Sequence, residues 1–296
     1  GILRHAGGVR IDHIMGLFRL WWIPQGMPPT HGAYVRYNHE AMVGILVLEA
    51  MRAGALIVGE DLGTVEPWVR DYLRERGLLG TSILWFELDR DGHGGPLEAE
   101  RWREFCLSSV TTHDLPPTPG YLAGEHVRLR HALGLLTRPA EHELEDDRAE
   151  QAAWMAELRR VGLLGADADE EKVILGLYRY LGRTPSRLLA LALTDAVGDK
   201  RAQNQPGTTD EYPNWRVPLT GPDGTPLLLE DVLSDPRAAE LAEALRPRRG
   251  ETRVLYMSGH TEDVVVKKEV VDTGSSFLAK PFRPDELLRK VREALG

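Results

Sequence analysis

The 296-residue chain has a formal net charge of −9 and shows no basic stripe or tail, which argues against a nucleic-acid partner. Its single cysteine, Cys106, excludes an internal disulfide framework, and no apolar run approaches the roughly 20 residues of a membrane span. With 42% hydrophobic and 27% charged residues, we expect a soluble, cytoplasmic protein with a full core and no membrane partner.

The first third of the chain predicts strands that alternate with helices. Residues 9–13 predict a strand, and the aromatic, proline-rich residues 18–37 predict a long irregular loop. A helix is expected over residues 39–53, with Gly54 as its stop, and a buried strand over residues 55–58.

The same alternation continues to about residue 195. Thr64 is expected to cap a helix over residues 66–76. The remaining predicted elements are strand 81–86, a short helix at 97–105, strand 107–112, charged helices within 120–165, helix 170–181 and strand 188–193. Such an order implies parallel βαβ units, with strands near Val9, Ile57, Leu84, Val110 and Ala190. The fold class is therefore α/β, and we interpret these five strands as the C-terminal portion of a (β/α)8 TIM barrel. Since a closed barrel needs eight strands, three more would precede Gly1.

The end of the chain differs in character. Residues 246–250 resemble a linker, followed by predicted strands at 253–257 and 276–280, a helix opening at Thr261 and a helix over 284–295. We therefore divide the chain into two segments, residues 1–246 and residues 247–296.

Three acids follow predicted strands at intervals of about fifty residues: Asp12, Glu60 and Asp114. In a parallel barrel these positions share the C-terminal rim, where catalytic side chains lie. Glycosidic bond cleavage needs two such carboxyl groups on either side of the bond. The three acids therefore predict one carbohydrate-cleaving pocket.

The neighbouring residues suggest a role for each acid. Arg10 would lie on the same strand face as Asp12 and keep it ionised, as a nucleophile requires. Glu60 follows an apolar strand, where partial burial suits a proton donor, and Asp114 beside His113 suits a group that stabilises positive charge. Taken singly, each motif is equally compatible with a purely structural role. Arg10 and Asp12 could form an ordinary ion pair, Glu60 and Asp61 a helix-capping acid pair, and His113 and Asp114 a turn.

These motifs resemble those of the amylomaltases, which are retaining barrel 4-α-glucanotransferases of glycoside hydrolase family 77. The resemblance covers about residues 9–245. It rests on Arg10-Ile11-Asp12-His13, Trp22-Ile23-Pro24, Gly32-Ala33-Tyr34-Val35, Val58-Gly59-Glu60-Asp61-Leu62-Gly63, Thr81-Ser82-Ile83-Leu84-Trp85-Phe86, Thr112-His113-Asp114 and Asn204-Gln205-Pro206-Gly207-Thr208-Thr209-Asp210-Glu211-Tyr212-Pro213-Asn214-Trp215-Arg216. Gln25 and His31 depart from the family pattern, because acids are expected at both positions.

The resemblance implies that Asp12 is the nucleophile, Glu60 the acid/base and Asp114 the transition-state stabiliser. The substrate-binding residues would be Arg10, His13, Trp22, Tyr34, His113 and Asn204. The implied reaction moves α-1,4-glucan segments between maltooligosaccharides by a retaining double displacement, which needs neither a metal nor an organic cofactor. The alternative is an inactive, glucan-binding remnant of such an enzyme.

The last fifty residues resemble part of a response-regulator receiver domain. The match rests on Val254-Leu255-Tyr256-Met257-Ser258-Gly259-His260-Thr261 and on Phe277-Leu278-Ala279-Lys280-Pro281-Phe282. Ser258 and Lys280 would be the residues that attend the phosphoryl group. A receiver-type signalling protein is the weakest alternative, because the sequence lacks the stretch that would carry the phospho-accepting aspartate.

Overall fold

The computed structural model describes residues 2–92, 94–245, 255–258, 276–279 and 289. Its strands within these ranges are β1 (Gly8–Ile11), β2 (Arg19–Trp22), β3 (Ala33–Arg36), β4 (Leu56–Gly59), β5 (Gly80–Ile83), β6 (Cys106–Ser109), β7 (Leu188–Ala190), β8 (Leu255–Ser258) and β9 (Ser276–Ala279). Its helices are α1 (His39–Ala53), α2 (Pro67–Glu75), α3 (Thr118–Leu122), α4 (Glu125–Ala132), α5 (Ala140–Arg160), α6 (Glu170–Leu181), α7 (Leu193–Val197), α8 (Leu229–Leu233) and α9 (Pro236–Ala244).

Five of these strands run parallel in the order β1, β4, β5, β6, β7. β1 pairs with β4, and β6 pairs with both β5 and β7. The two groups meet at the bridge between Val58 and Leu79, where Leu79 N donates to Ile57 O at 2.9 Å and Gly59 N to Leu79 O at 2.7 Å. The five strands thus occur where the sequence predicts them, and the fold is α/β.

The prediction of an irregular loop over residues 18–37 is wrong. β2 and β3 form an antiparallel hairpin in which Arg19 faces Arg36 and Trp22 faces Ala33. The prolines at 24, 28 and 29 lie in the connection, where they remove no ladder hydrogen bond, whereas the aromatic and β-branched residues occupy the strands.

Several predicted boundaries also change. α2 begins at Pro67, whose fixed φ suits the first helical position, so Glu66 rather than Thr64 stands at the N-cap, and its side chain makes no capping hydrogen bond. The helix expected at 97–105 is one 3-10 turn, Ala99–Arg101. β5, β6 and β7 each end three residues before the predicted end, and the segment after β7 turns into α7.

Two apolar clusters support opposite ends of the parallel sheet. The smaller joins β1, α1 and α2 through side chains such as Ile14, Val43 and Val69. The larger joins β5 and Val110, the residue after β6, to α5 and α6, with Trp154 and Tyr178 fully buried. Both clusters hold the strand ends and the loops that follow them.

The two strands of the C-terminal segment pair in parallel, from Leu255 with Ser276 to Ser258 with Ala279. Lys280 and the helix predicted to open at Thr261 lie outside the described residues, as does the helix predicted over 284–295 apart from residue 289. In the part of the chain that the structure describes, no helix is long and apolar enough to cross a membrane.

Candidate active site

The ends of β1 and β4 bring Asp12, His13 and Glu60 together. Asp12 Oδ2 lies 2.7 Å from His13 Nδ1, and Glu60 Oε2 lies 3.9 Å from the same nitrogen. The Glu60 side chain is 11% exposed, whereas that of Asp12 is 55% exposed. The structure therefore places an accessible carboxylate, Asp12, beside a largely buried one, Glu60, and the sequence predicts the partial burial of Glu60.

His13 and Arg10 both stabilise the ionised form of Asp12. Arg10 Nη1 donates to Asp12 Oδ1 at 2.8 Å from the same face of the strand. Partial burial raises the pKa of Asp12, but the hydrogen bonds from His13 and Arg10 outweigh this effect and hold the pKa below its usual value. Asp12 is therefore a carboxylate at neutral pH.

Backbone N–H groups fix the Glu60 carboxylate. His13 N donates to Oε2 at 3.0 Å, and Leu62 N donates to Oε1 at 2.7 Å. His13 reaches this position in a left-handed conformation, with φ 49° and ψ 55°. A Cβ on Gly59 would lie 3.0 Å from Ile14, so glycine allows the two strand ends to approach this closely.

A second cluster follows β6. Asn204 Nδ2 donates to Asp114 Oδ1 at 2.7 Å, and His113 Nε2 lies 3.2 Å from Asp114 Oδ2. The His113 ring also lies against the indole of Trp215, with 5.3 Å between ring centroids. The loop after α7 therefore supplies both Asn204 and Trp215 to the segment that carries Asp114.

Two cavities adjoin these clusters. One, of about 390 Å³, is lined by Arg10 from β1 and by His113 and Trp215 from the other cluster, so it connects the two halves of the predicted site. The other, of about 460 Å³, is lined by Asp114 and Asn204 together with Trp85 and Phe86. Apolar walls with a few converging polar groups are typical of ligand pockets.

Trp22 and Tyr34 lie on the hairpin and are 57% and 55% exposed. Tyr34 faces Trp21 across the ladder, with ring centroids 4.9 Å apart, so it lies on the opposite face of the hairpin from Trp22. Trp22 Nε1 instead donates to Tyr37 Oη at 2.8 Å. The hairpin thus presents an aromatic ring on each face, and the two rings cannot stack on one sugar from the same side.

The sequence reasoning missed Trp215 as a site residue, although it lies within the long motif that begins at Asn204. Its backbone has φ 62°, and its nitrogen donates to Gln203 O at 2.8 Å. A bulky residue in the left-handed region is uncommon, and such residues are often found at functional sites. Sequence alone does not reveal this conformation.

Asp12, His13 and Glu60 are also the described residues whose ligand atoms could hold a metal ion, since these atoms lie within 4.8 Å of one another. Clusters of exposed acidic groups are also common where no ion binds.

The model of the family described as Glyco_hydro_77: 4-alpha-glucanotransferase matches residues 1–223. The chain belongs to this 4-alpha-glucanotransferase family. The match ends before the receiver-like segment, so the resemblance seen in residues 247–296 stays a prediction.

Individual family members are similar over most of the chain. The 4-alpha-glucanotransferase of Mycobacterium tuberculosis is 77% identical over 248 residues, which are 82% of this chain and 34% of that protein. The 4-alpha-glucanotransferase of Haemophilus influenzae is 32% identical over 232 residues, which are 74% of this chain and 32% of that protein. The chain thus spans about a third of the length of these relatives.

Two solved structures have a similar fold. The amylomaltase from Corynebacterium glutamicum has a TM-score of 0.78 at 45% identity, over 83% of this chain and 36% of that one. The amylomaltase from Streptococcus agalactiae in complex with acarbose has a TM-score of 0.52 at 20% identity, over 79% and 40%, and this likeness concerns the fold alone.

Proposed function

We propose that this chain carries the catalytic acids of a 4-α-glucanotransferase, which moves α-1,4-glucan segments between maltooligosaccharides with retention of configuration. The observation that carries the proposal is the pairing of an exposed, ionised Asp12 with a buried Glu60 at neighbouring strand ends. Family membership supports it, as do the names of the relatives.

In the first step, a carboxylate oxygen of Asp12 attacks the anomeric carbon of the donor. The glycosidic C–O bond breaks as Glu60 gives its proton to the departing oxygen, which leaves with the bonding electron pair. Arg10 keeps Asp12 anionic until it attacks, and the two backbone donors to Glu60 hold that side chain in one position.

In the second step, Glu60 acts as a base and takes the proton of the acceptor's 4-hydroxyl. That oxygen attacks the anomeric carbon, and the bond to Asp12 breaks, so the net change is transfer of a glucan segment. Asp114, which Asn204 and His113 hold in place, would stabilise the positive charge that develops on the sugar ring. The cavity beside Asp114 and Asn204, with Trp85 and Phe86, would accommodate further glucosyl units.

We also propose that the five parallel strands are the C-terminal portion of a (β/α)8 barrel, within a domain of residues 1–246. The continuous parallel order of the strands and the likeness to the Corynebacterium amylomaltase support this assignment. The cytoplasmic location and the separate receiver-like segment, residues 247–296, remain predictions from the sequence. Arg10, His13, Trp22, Tyr34, His113 and Asn204 remain the proposed glucan-binding residues.

The decisive measurement is glucose release from maltotriose by the purified chain. Asp12→Asn removes the nucleophile, so the rate should fall to background, and Glu60→Gln should lower it by about 10²–10⁴-fold. Asp71→Asn is the control, because Asp71 pairs with Arg74 on the exposed face of α2. Turnover that survives in Asp12→Asn would refute the assignment, and glucan binding without turnover would establish the inactive remnant instead.

A further inference from the structure

Asp195, a buried residue of α7, holds the segment that follows Asp114. Its Oδ1 accepts from Thr118 N at 2.8 Å, and its Oδ2 accepts from Thr118 Oγ1 at 2.5 Å. Tyr178 Oη of α6 also donates to Oδ2, at 2.8 Å. Thr118 is the first residue of α3 and lies four positions after Asp114, so this network fixes one end of the loop that carries Asp114.

Asp199, two residues beyond the end of α7, holds the loop that carries Asn204. The carboxylate is fully buried and accepts from Arg201 N at 2.9 Å and from Thr220 N at 2.9 Å. The Arg201 guanidinium pairs with both oxygens of Asp199 and donates to Thr220 Oγ1 at 2.9 Å. This network joins the two ends of the segment from 199 to 220.

The two loops also approach each other directly at their bases. A Cβ on Gly120 of α3 would overlap the carbonyl oxygen of Lys200, so α3 lies against the residue that follows Asp199. The loops meet again at their tips, in the contacts of Asn204 with Asp114 and of Trp215 with His113.

We infer that Asp195 and Asp199 are positioning residues, which set the Asn204–Asp114 contact: Asp195 anchors the loop of Asp114 to α7, and Asp199 closes the loop of Asn204 directly after α7. The inference rests on the proposed function, since it concerns the placement of Asp114. Two loops tied to one short, buried helix have a fixed separation, and catalysis is sensitive to displacements of about 1 Å. Neither aspartate is among the residues that the sequence motifs single out.

The contact itself can be observed without any turnover. The side-chain amide of Asn204 donates to a carboxylate, so its ¹H–¹⁵N resonances should differ from those of a solvated asparagine. Asp114→Asn identifies the shift that this contact causes. We expect Asp195→Asn and Asp199→Asn each to move the Asn204 resonances at least halfway to the position seen in Asp114→Asn.

Each substitution keeps the approximate shape of the side chain, so we expect the variants to fold. In Asp195→Asn, the amide replaces the oxygen that serves Thr118 Oγ1 and Tyr178 Oη, so both hydroxyls lose their acceptor while the shape is kept. Thr118→Val and Thr220→Val are milder, since each removes one hydroxyl from one network. They should move the same resonances in the same direction.

Asp71→Asn is the control. Asp71 pairs with Arg74 on the exposed face of α2, so it lies outside both networks. We expect it to leave the Asn204 resonances unchanged. Folded Asp195→Asn and Asp199→Asn proteins whose Asn204 resonances match the unsubstituted chain would overturn the inference.

Kinetics provide the second readout. If glucose release is observed, Asp195→Asn and Asp199→Asn should lower kcat about tenfold or more and change KM by less than about threefold, because the displaced group acts in the transition state. Equal kcat in both variants and the control would contradict the inference. A chain without turnover refutes the proposed function, whereas the resonance shifts still decide whether α7 sets the contact.

Discussion

At the scale of single residues, the buried aspartates differ in the charge of their hydrogen-bond donors. Asp61 is 1% exposed and pairs with the Arg103 guanidinium at 2.6 Å, and Asp199 pairs with Arg201. Asp195 instead receives its three hydrogen bonds from Thr118 and Tyr178, which are neutral groups. Burial raises the pKa of Asp195 to about 6, and these hydrogen bonds only partly offset it. A buried carboxylate held by neutral donors is therefore sensitive to pH.

The sign of that sensitivity follows from linkage. The folded state binds the Asp195 proton more tightly than the unfolded chain, whose usual pKa is 3.8, so the stabilisation present at low pH is lost as pH rises through about 6. Relative to Asp195→Asn, the unsubstituted chain should lose up to about 3 kcal/mol of unfolding free energy between pH 4 and pH 7. Urea unfolding of both proteins at several pH values measures this difference. A difference that is constant across that range would contradict the expected titration.

At the scale of elements, two helical glycines differ in how closely other main-chain atoms approach them. Gly120 lies in α3 against the carbonyl of Lys200, whereas Gly44 lies on the exposed side of α1 with no atom within 4 Å of an added Cβ. Both residues are helical, so the intrinsic preference of the helix for alanine is the same at each position. Their surroundings alone should decide the effect of a substitution.

Gly44→Ala should therefore raise the unfolding free energy by about 0.5–1 kcal/mol, because it adds helix propensity without a clash. Gly120→Ala should lower it by about 1–3 kcal/mol, because the methyl group overlaps main chain that cannot give way cheaply. Thermal unfolding of the pair measures both effects. Equal shifts of the same sign would mean that α3 and Lys200 are not in close contact.

At the scale of the whole molecule, the family model matches the chain up to residue 223. The region aligned with the Mycobacterium tuberculosis relative covers 82% of the chain. The division at residue 246 stays a prediction. Within the described residues, the two strands β8 and β9 pair with each other, whereas the parallel sheet and its two apolar clusters are built from residues before 246. The first segment therefore has a core of its own.

Deletion of residues 247–296 should accordingly leave the folding of the first segment intact. We expect the thermal midpoint of residues 1–246 to stay within about 2 °C of that of the full chain, since a loss of core contacts worth 1 kcal/mol would shift it by about 2–4 °C. Differential scanning calorimetry of both chains provides the comparison. A truncated chain that fails to fold, or that melts much earlier, would show that the two segments form one unit.

The sequence by itself determined the local features of this protein. Strand and helix order, the stop at Gly54, the positions of Asp12 and Glu60 directly after strands and the family motifs all depend on residues close together in the chain, whose propensities act locally. Asp12 and Arg10 are two residues apart, so their ion pair could also be predicted. The hairpin of residues 19–36 is not predicted, because its prolines lie in the connection between the strands, and proline density alone does not distinguish such a connection from an irregular loop.

Only the tertiary structure decided the long-range features. The contact of Asn204 with Asp114 joins residues 90 positions apart, and that of Asp195 with Thr118 joins residues 77 apart. Such contacts depend on how α3, α6 and α7 pack. The local sequence around an aspartate does not reveal whether it is buried against a distant hydroxyl or exposed on the surface. Its function is set by burial, which removes water and leaves the protein donors as its partners.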